Sequence, residues 1–170
     1  MTIETERLIL RRFTLDDADD YFHLIADPEV NLYTGQGPVT SIEEARQVLR
    51  DHPLRDYDTV GYGRMACIEK STGRLIGFSG MKYMKDLGET DVGYRFFKDT
   101  WGKGYATESA RVLMRDCIRE FGLRRVIGLC DRRNGDSAKV LVKLGMTFER
   151  RLNVGDYPGL LDMYGLATGL

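Results

Sequence analysis

The residues best suited to chemistry form a glycine-rich stretch in the second half of the chain, Trp101-Gly-Lys-Gly-Tyr-Ala106. This stretch lies between a predicted strand and a predicted helix. The first turn of a helix carries backbone N–H groups that have no partner inside the helix, and the helix dipole is positive there. Glycine lets the backbone approach a bound anion closely. The sequence therefore predicts that a phosphate or pyrophosphate group binds at this stretch.

Two common phosphate-binding motifs do not match it. The P-loop requires GxxxxGK followed by Ser or Thr, but here Lys103 is followed by Gly104. The dinucleotide fingerprint GxGxxG finds its first two glycines at Gly102 and Gly104, but Thr107 replaces the third. No strand ending in an acidic residue follows about 20 residues later. For the stretch by itself, a coenzyme A site and an ordinary turn before a helix both stay open.

A helix and two strands must hold this stretch in place. Apolar residues after it recur at the i, i+3, i+4 spacing of an amphipathic helix, at Ala106, Ala110, Leu113, Met114, Cys117 and Phe121. Gly122 stands where a glycine commonly ends a helix. Strands are predicted at residues 90–97 before the stretch and 126–130 after the helix. Together they form a β-loop-α-β unit, and we expect its crossover to be right-handed.

The rest of the chain supplies further elements. Thr14 and Ser41 are suited to start helices, and Asp27-Pro28 to end one. The predicted elements are strand 8–13, helix 14–26, helix 41–50, strands 64–69 and 75–83, helix 134–144, and strands 147–154 and 161–167. This order predicts an α/β (α+β) sandwich with a mixed, mostly antiparallel central sheet flanked by helices. The length of 170 residues fits a single domain, residues 1–170.

The composition limits the classes of function. Apolar residues make up 42% of the chain and charged residues 30%, a balance typical of soluble globular proteins. The formal net charge of -1 argues against a nucleic-acid partner, because such proteins usually carry a basic excess. The amino terminus is polar, and no apolar run approaches the length of a membrane span. We therefore predict a cytoplasmic protein without a nucleic-acid or membrane partner.

The three cysteines, Cys67, Cys117 and Cys130, lie far apart in apolar segments. They form no CxxC pair and no Cys/His spacing typical of a metal site, so we predict no metal. Small buried residues in a reducing compartment are the simplest interpretation of all three.

Five short motifs, in their order along the chain, resemble the GNAT superfamily of N-acetyltransferases. They are Asp91-Val-Gly-Tyr94, Trp101-Gly-Lys-Gly-Tyr-Ala-Thr-Glu-Ser-Ala110, Phe121-Gly-Leu-Arg-Arg-Val126, Asn134-Gly-Asp-Ser137 and Lys143-Leu-Gly-Met146. The segment Thr5-Glu-Arg-Leu-Ile-Leu-Arg-Arg-Phe-Thr14 is similar to the start of the Rim-type branch, which acetylates ribosomal proteins. The resemblance extends over nearly the whole chain, and its specificity lies in the order and spacing of the motifs.

The resemblance implies that acetyl-CoA is the co-substrate. Its pyrophosphate would bind the loop formed by Trp101, Gly102, Lys103, Gly104, Tyr105, Ala106 and Thr107. Gly104 and Ala106 match the second half of the family's Q/R-x-x-G-x-G/A motif. Trp101 stands where most of the family has Gln or Arg, a departure that the Rim-type branch shares.

The same resemblance places the pantetheine arm beside the predicted strand 90–97. The arm would lie in a gap where this fourth predicted strand and the fifth, 126–130, splay apart. Phe96 and Phe97 would supply backbone hydrogen bonds to it. A backbone N–H near Phe97 would polarise the thioester carbonyl, as an oxyanion hole does.

The leaving thiolate needs a proton donor. Leu141 replaces the tyrosine that much of the family has at this position of the following helix. The Rim-type branch has Asn-x-x-Ser at the start of that helix, which places Asn134 at the ligand and makes Ser137 the candidate donor. An ordinary helix start, with Asn134 as its cap, explains the same two residues.

The candidate general base is Asp91, at an acidic position of the family. Alternation along the strand puts Asp91 and Gly93 on one face, and Val92 and Tyr94 on the other. Glu89, Tyr94 and a chain of water molecules stay open as alternatives, and so does a merely solvated carboxylate at Asp91.

These expectations predict an N-acetyltransferase that moves an acetyl group from acetyl-CoA to a primary amine by direct attack. The Rim-type resemblance implies a protein N-terminal α-amine as acceptor, and a homodimer is common in the family. The alternative is a non-catalytic acyl-CoA-binding module in which Ser137 is silent.

Aromatic residues that could line the acceptor channel are Tyr33, Tyr83, Trp101, Tyr157 and Tyr164. Arg132 and Arg133 are either solvent-exposed or in contact with the CoA phosphates.

Overall fold

The computed structural model describes residues 1–170, which form one eight-stranded sheet flanked by helices. The strands are β1 (Thr2–Glu4), β2 (Leu8–Arg12), β3 (Arg64–Glu69), β4 (Leu75–Met84), β5 (Glu89–Phe96), β6 (Arg125–Asp131), β7 (Thr147–Leu152) and β8 (Leu161–Ala167). The α-helices are α1 (Ala18–Ala26), α2 (Ile42–Leu49), α3 (Arg55–Thr59), α4 (Tyr105–Phe121) and α5 (Gly135–Lys143). The strand order is β1-β2-β3-β4-β5-β6-β8-β7, and only β5 and β6 run parallel. The predicted mixed, mostly antiparallel α/β fold is confirmed.

The parallel pair β5 and β6 interrupts the otherwise continuous pairing of the sheet. Only Asp91 and Ile127 are paired across it. By contrast, β5 is paired with β4, and β6 with β8, along their whole lengths. Beyond Asp91 the two strands separate toward their carboxyl ends. The predicted splay of these two strands is confirmed, and it opens a gap in the middle of the sheet.

Helices pack on both faces of the sheet. On one face, α1 and α2 bury an apolar cluster that includes Tyr21, Leu49 and Phe78. On the other face, α4 and α5 bury residues such as Met114 and Leu141. Each large apolar side chain so buried stabilises the fold by about 1.5–3 kcal/mol. The helices therefore fix the two strands on either side of the gap.

The helix that begins after Ser41 is followed by a π-helical turn that the sequence did not predict. Ser41 caps it as expected, because its hydroxyl accepts the N–H of Glu44 at 3.1 Å. The α-helix ends at Leu49, within one residue of the predicted end, and the chain continues through a π-helical turn, Arg50–Leu54, into α3. Pro53 lies inside that turn, which is wider than an α-helical turn and accommodates a residue without an N–H group.

Smaller features complete the fold. The sequence did not predict the short edge strand β1. A 3-10 turn, Leu15–Asp17, precedes α1, and the Asp17 carboxylate accepts the N–H of Thr14 at 2.9 Å. The three cysteines are buried and unbonded. None of the helices combines the length and the apolar character that crossing a membrane requires.

Candidate active site

A cleft of about 1010 Å³ opens at the gap between β5 and β6. Its walls are the starts of α4 and α5, the segment after α1, and the region around Tyr157. Most predicted site residues line it: Asp91, Phe96, Trp101, Gly102, Gly104, Tyr105, Ala106, Thr107, Asn134 and Ser137. Phe97 and Lys103 do not. The structure thus brings residues 134–137 together with residues 91–107, which lie about 30 residues earlier in the chain.

The loop before α4 presents a row of free backbone N–H groups. Gly102 and Gly104 have φ values of 73° and 83°, in the left-handed region that favours glycine. The first internal hydrogen bond of α4 runs from Glu108 N to Gly104 O at 3.0 Å. None of the N–H groups of residues 102–107 has a hydrogen-bond partner in the protein. With the positive end of the helix dipole, they can bind a phosphate group.

Contacts from the amino terminus hold this loop in place. Glu108, in the first turn of α4, accepts hydrogen bonds from the Thr5 hydroxyl at 2.6 Å and from Arg7 Nε at 2.7 Å. Arg7 Nη1 also donates to the carbonyl of Lys103 at 2.8 Å, and its guanidinium lies 4.4 Å over the Tyr105 ring. Burial tends to raise the pKa of Glu108, but these hydrogen bonds outweigh it and lower the pKa.

Every second residue of β5 directs its backbone N–H and C=O groups toward the gap. The N–H of Phe97 donates to the carbonyl of Ile76 on β4 at 3.0 Å, so it is not free to bind a thioester as predicted. Backbone groups alternate in direction along a strand, and the N–H of Phe96 therefore points toward β6. The Phe96 carbonyl accepts the indole N–H of Trp101 at 2.8 Å. Of the two predicted residues, only Phe96 presents an N–H to the gap.

Asp91 lies at the point where β5 and β6 part. Its carboxylate accepts hydrogen bonds from Arg64 Nη2 at 2.6 Å and from the Leu129 N–H at 3.0 Å. Its side chain is only 9% exposed, so the alternative of a solvated carboxylate was wrong. Burial raises the pKa of Asp91, and the Arg64 guanidinium and the Leu129 N–H oppose that rise. A Cβ at Gly93 would overlap the Arg64 guanidinium, so this glycine gives the arginine access to Asp91.

Tyr94 and Ser137 meet across the gap. The Tyr94 hydroxyl donates to the backbone carbonyl of Ser137 at 2.8 Å and lies 3.1 Å from Ser137 Oγ. Burial raises the pKa of Tyr94, so its phenol is protonated at neutral pH and is suited to donate rather than to accept a proton. The two hydroxyls form a donor pair in the cleft, in which Tyr94 donates to the Ser137 carbonyl and the Ser137 hydroxyl can donate to a ligand.

The start of α5 has the predicted cap. The Asn134 side-chain oxygen accepts the Ser137 N–H at 3.2 Å. Leu141 is 1% exposed and packs so closely on Gly128 of β6 that a Cβ there would overlap it. Leu141 therefore belongs to the core and offers no proton donor to the cleft.

The chain matches the family model described as an acetyltransferase (GNAT) domain over residues 7–147. The match includes both strands of the gap, the free N–H groups of the loop, and Ser137. The chain belongs to the GNAT acetyltransferase family.

Known proteins agree with this assignment. Protein p20 of Bacillus licheniformis, described as an uncharacterized N-acetyltransferase, is 31% identical over 169 residues, which cover 96% of this chain and 93% of that protein. A GNAT-family acetyltransferase from Bacillus anthracis is 24% identical with a TM-score of 0.81, and 98% of both chains is covered. RimL, a ribosomal α-N-protein acetyltransferase in complex with coenzyme A, is 19% identical with a TM-score of 0.78 over 98% of both chains. These two structures show the shared fold.

This GNAT protein is thus an enzyme, an acetyl-CoA-dependent acetyltransferase. Nothing in these similarities supports the alternative of a non-catalytic acyl-CoA-binding module. No group of three or more His, Cys, Asp or Glu side chains is arranged to hold a metal ion.

Some of the remaining candidate residues of the acetyltransferase line the cleft, and others lie outside it. Of the aromatic residues predicted for the acceptor channel, Tyr33, Trp101 and Tyr157 line the cleft, and Tyr83 and Tyr164 do not. Glu89, an alternative base, accepts a hydrogen bond from Arg125 Nε at 2.8 Å and lies outside the cleft. It is therefore not placed to take a proton from an acceptor in the cleft.

Asp131 organises the cleft wall around Tyr157. Its carboxylate accepts hydrogen bonds from Arg133 Nη2 at 2.8 Å and from the Tyr157 hydroxyl at 2.5 Å. The Arg133 guanidinium holds the pKa of Asp131 well below its usual range. The Tyr157 ring also packs against Gly35, in the segment after α1. Arg133 is therefore paired with Asp131. The contacts of Tyr157 also join the loop around residue 157 to the segment after α1, which is distant in sequence.

Sequence reasoning missed the partners that hold the predicted residues. Arg7 and Glu108 are 101 residues apart, and Arg64 and Asp91 are 27 apart, so no local spacing connects them. The available signal was weaker: Arg64 and Arg95 are charged residues inside segments that otherwise predict buried strands.

Proposed function

We propose that the enzyme transfers the acetyl group of acetyl-CoA directly to a primary amine. The acceptor that we propose is the α-amine of a protein amino terminus, as in the Rim-type branch. The observation that carries the proposal is the row of free N–H groups at residues 102–107, beside a gap where two hydroxyls meet. The likeness to RimL supports the class of acceptor.

The proposed position of acetyl-CoA follows from these free groups. Its pyrophosphate would accept hydrogen bonds from the N–H groups of residues 102–107. Trp101 and Asn134 would lie on either side of it. Its pantetheine arm contains amide groups, which can pair with the open edge of β5 as another strand would. The thioester carbonyl would then accept the N–H of Phe96, which can stabilise negative charge on that oxygen.

In the proposed reaction, the neutral amine attacks the thioester carbon. The new C–N bond forms, the C–S bond breaks, and the electron pair leaves with the sulfur as a thiolate. Ser137 Oγ donates a proton to that sulfur, and Tyr94, which burial keeps protonated, holds Ser137 in place through its backbone carbonyl. Water in the cleft passes the proton that the amine loses to Ser137 Oγ, where it replaces the proton given to the sulfur.

We propose that Asp91 positions the strands rather than acting as the general base. Both of its oxygens already accept hydrogen bonds, and these bonds connect β3, β5 and β6 where the gap begins. The variant Asp91→Asn separates the two roles. A positioning role lowers kcat/KM at all pH values alike, whereas loss of a base removes the acid limb of the pH profile.

The first experiment is a calorimetric titration with acetyl-CoA, with ATP and NADH as controls. We expect acetyl-CoA alone to bind, with a micromolar Kd. A panel of peptides with free amino termini then follows, with release of CoA thiol as the measurement. Absence of acetyl-CoA binding, or tighter binding of a control, would overturn the proposed loop and the proposed reaction together.

We further propose that residues 1–170 act as one domain in the cytoplasm. A single sheet connects all three apolar clusters, which supports one folding unit. The buried free thiols of Cys67, Cys117 and Cys130 suit a reducing compartment. Limited proteolysis that released a stable shorter fragment would contradict the single domain.

A further inference from the structure

Arg95 is one of the cations that line the cleft, and it has no carboxylate partner. Arg95 lies on β5, on the face that carries Asp91 and Gly93, and lines the cleft. Its Nη1 donates to the side-chain oxygen of Gln36 at 2.7 Å, and its guanidinium lies 5.1 Å over the Phe78 ring. Its Nε and Nη2 have no hydrogen-bond partner in the protein, and neither atom is sealed off from the cleft. Two N–H-bearing nitrogens of Arg95 are therefore available to a ligand.

Arg64, which also lines the cleft, and Arg133, which contacts the lining residue Asp131, differ from Arg95 in this respect. Arg64 pairs with Asp91 at 2.6 Å, and Arg133 pairs with Asp131 at 2.8 Å. Each of these charges is balanced within the chain. Arg95 instead contacts a neutral amide and an aromatic ring, so its positive charge is unbalanced.

Burial makes an unbalanced charge unfavourable, because water no longer solvates it fully. It lowers the pKa of Arg95 to about 10, so the guanidinium still carries its charge at neutral pH. The carboxylates that line the cleft form no ion pair with Arg95. The chain therefore keeps a charge in the cleft that an anion from outside would balance.

The position of Arg95 relates it to the proposed reaction. It lies between Tyr94 and Phe96, which we placed beside the sulfur and the carbonyl of the thioester. Successive residues of a strand are about 3.3 Å apart and point to opposite faces. A ligand bound to Arg95 on the α1 side of β5 is therefore next to the gap in which its amine would react.

We propose that the acceptor carries a carboxylate in addition to its amine, and that Arg95 binds this carboxylate through Nε and Nη2. This inference rests on the proposed function and adds the chemical class of the acceptor. A guanidinium binds a carboxylate through two parallel hydrogen bonds, a geometry that a lysine ammonium does not provide. The carboxylate belongs either to a small amino acid or to an acidic side chain near a protein amino terminus.

The test compares acceptors that differ only in the carboxylate. Free amino acids are paired with their carboxamides, and amidated peptides with Asp as second residue are paired with peptides with Asn there. Release of CoA thiol gives kcat/KM for each acceptor. The proteins are the wild type, Arg95→Gln, Arg95→Lys and the matched control Arg46→Gln, which changes an exposed arginine on α2.

We expect the wild type to favour the acid over its amide by about 10- to 100-fold in kcat/KM. The pair that shows the preference identifies the source of the carboxylate. Arg95→Gln lowers kcat/KM for the acids far more than for the amides, so that the ratio between them falls to about one. Arg95→Lys retains part of the preference, and Arg46→Gln retains all of it.

Three results would overturn the inference. The first is equal rates for acid and amide in the wild type. The second is an equal loss of kcat/KM for acid and amide acceptors in Arg95→Gln. If that variant binds acetyl-CoA normally, an equal loss indicates a structural role for Arg95. The third concerns the case in which acetyl-CoA binds but no acceptor reacts. The acid and amide pairs are then titrated into the CoA-bound enzyme. Equal binding of acid and amide, or no binding of either, contradicts the inference. Absence of acetyl-CoA binding instead overturns the proposed function, and the inference with it.

Discussion

The two ends of the cleft are built in different ways. At the loop end, residues 102–107 offer backbone N–H groups, which glycines in the left-handed region expose. At the arginine end, Arg64, Asp91 and Arg95 offer charged side chains that are largely buried. A backbone site needs a conformation, whereas a side-chain site needs particular residues. The first suits a ligand shared by many relatives, and the second can change with the acceptor while the fold is kept.

The largest effect is expected at the arginine end. Asp91→Ala leaves Arg64 buried without its counter-charge, so the free energy of unfolding should fall by about 3–5 kcal/mol. The control Arg74→Ala breaks an exposed pair with Asp99 and should cost no more than about 1 kcal/mol. Urea unfolding of both variants measures the difference. Equal losses would show that burial does not distinguish the two pairs.

A change at the loop end should lower the affinity for acetyl-CoA. Gly104→Ala places a Cβ at a φ of 83°, at the centre of the free N–H groups. We expect the Kd for acetyl-CoA to rise at least about tenfold, or about 1.4 kcal/mol. The matched control is Gly73→Ala, at a φ of 71° in a turn with open space around it. Both variants carry similar backbone strain, so equal affinities in calorimetry would contradict a binding role for the loop.

The donor pair between the two ends should affect the rate. Ser137→Ala removes the hydroxyl nearest the proposed sulfur position, and kcat should fall about tenfold, or about 1.4 kcal/mol of barrier. Tyr94→Phe should have a smaller effect, because it removes only the supporting hydroxyl. Steady-state thiol release gives both values, with Ser71→Ala in an exposed turn as control. A smaller loss in Ser137→Ala would exclude Ser137 from an essential role.

The smallest effect on stability or activity is expected at Glu108, whose hydrogen bonds to Thr5 and Arg7 hold the loop in place. Because hydrogen bonds lower its pKa, Glu108 contributes stability above its unfolded pKa of about 4.3, and this contribution disappears as the pH falls through the folded pKa. Glu108→Gln should therefore lower stability at pH 7 by about 1 kcal/mol, given the partial exposure of Arg7. Thermal unfolding should show this difference shrinking toward zero at acid pH. A difference independent of pH would mean that the carboxylate charge does not matter.

The loop end could be predicted from sequence because its determinants are local. Glycines at Gly102 and Gly104, followed by the apolar spacing of α4, specify a turn and a helix within one segment. The cap at Asn134 and the strands that enclose the gap have equally local signals. These elements agree with the structure to within a few residues.

Asp91 was predicted at the arginine end, but its contacts and those of its neighbours were not, because they join distant segments. Gln36 and Arg95 are 59 residues apart, and Tyr157 meets Asp131 from a loop with no regular structure. The direction of a backbone group also depends on strand register, which decided that Phe96 rather than Phe97 faces the gap. Register and side-chain pairing are set by the packed sheet, and a single sequence does not specify them.

The single paired position between β5 and β6 has a consequence for the lifetime of the enzyme in a cell. An unpaired strand edge is a template for association with other chains, and here two such edges lie in the middle of one sheet. A ligand that fills the gap would cover both edges and shift the folding equilibrium by mass action. The supply of co-substrate would then protect the protein from aggregation as well as feed its reaction. Amide hydrogen exchange on β5 would record this protection directly, as slower deuterium uptake at Phe96 when the gap is filled.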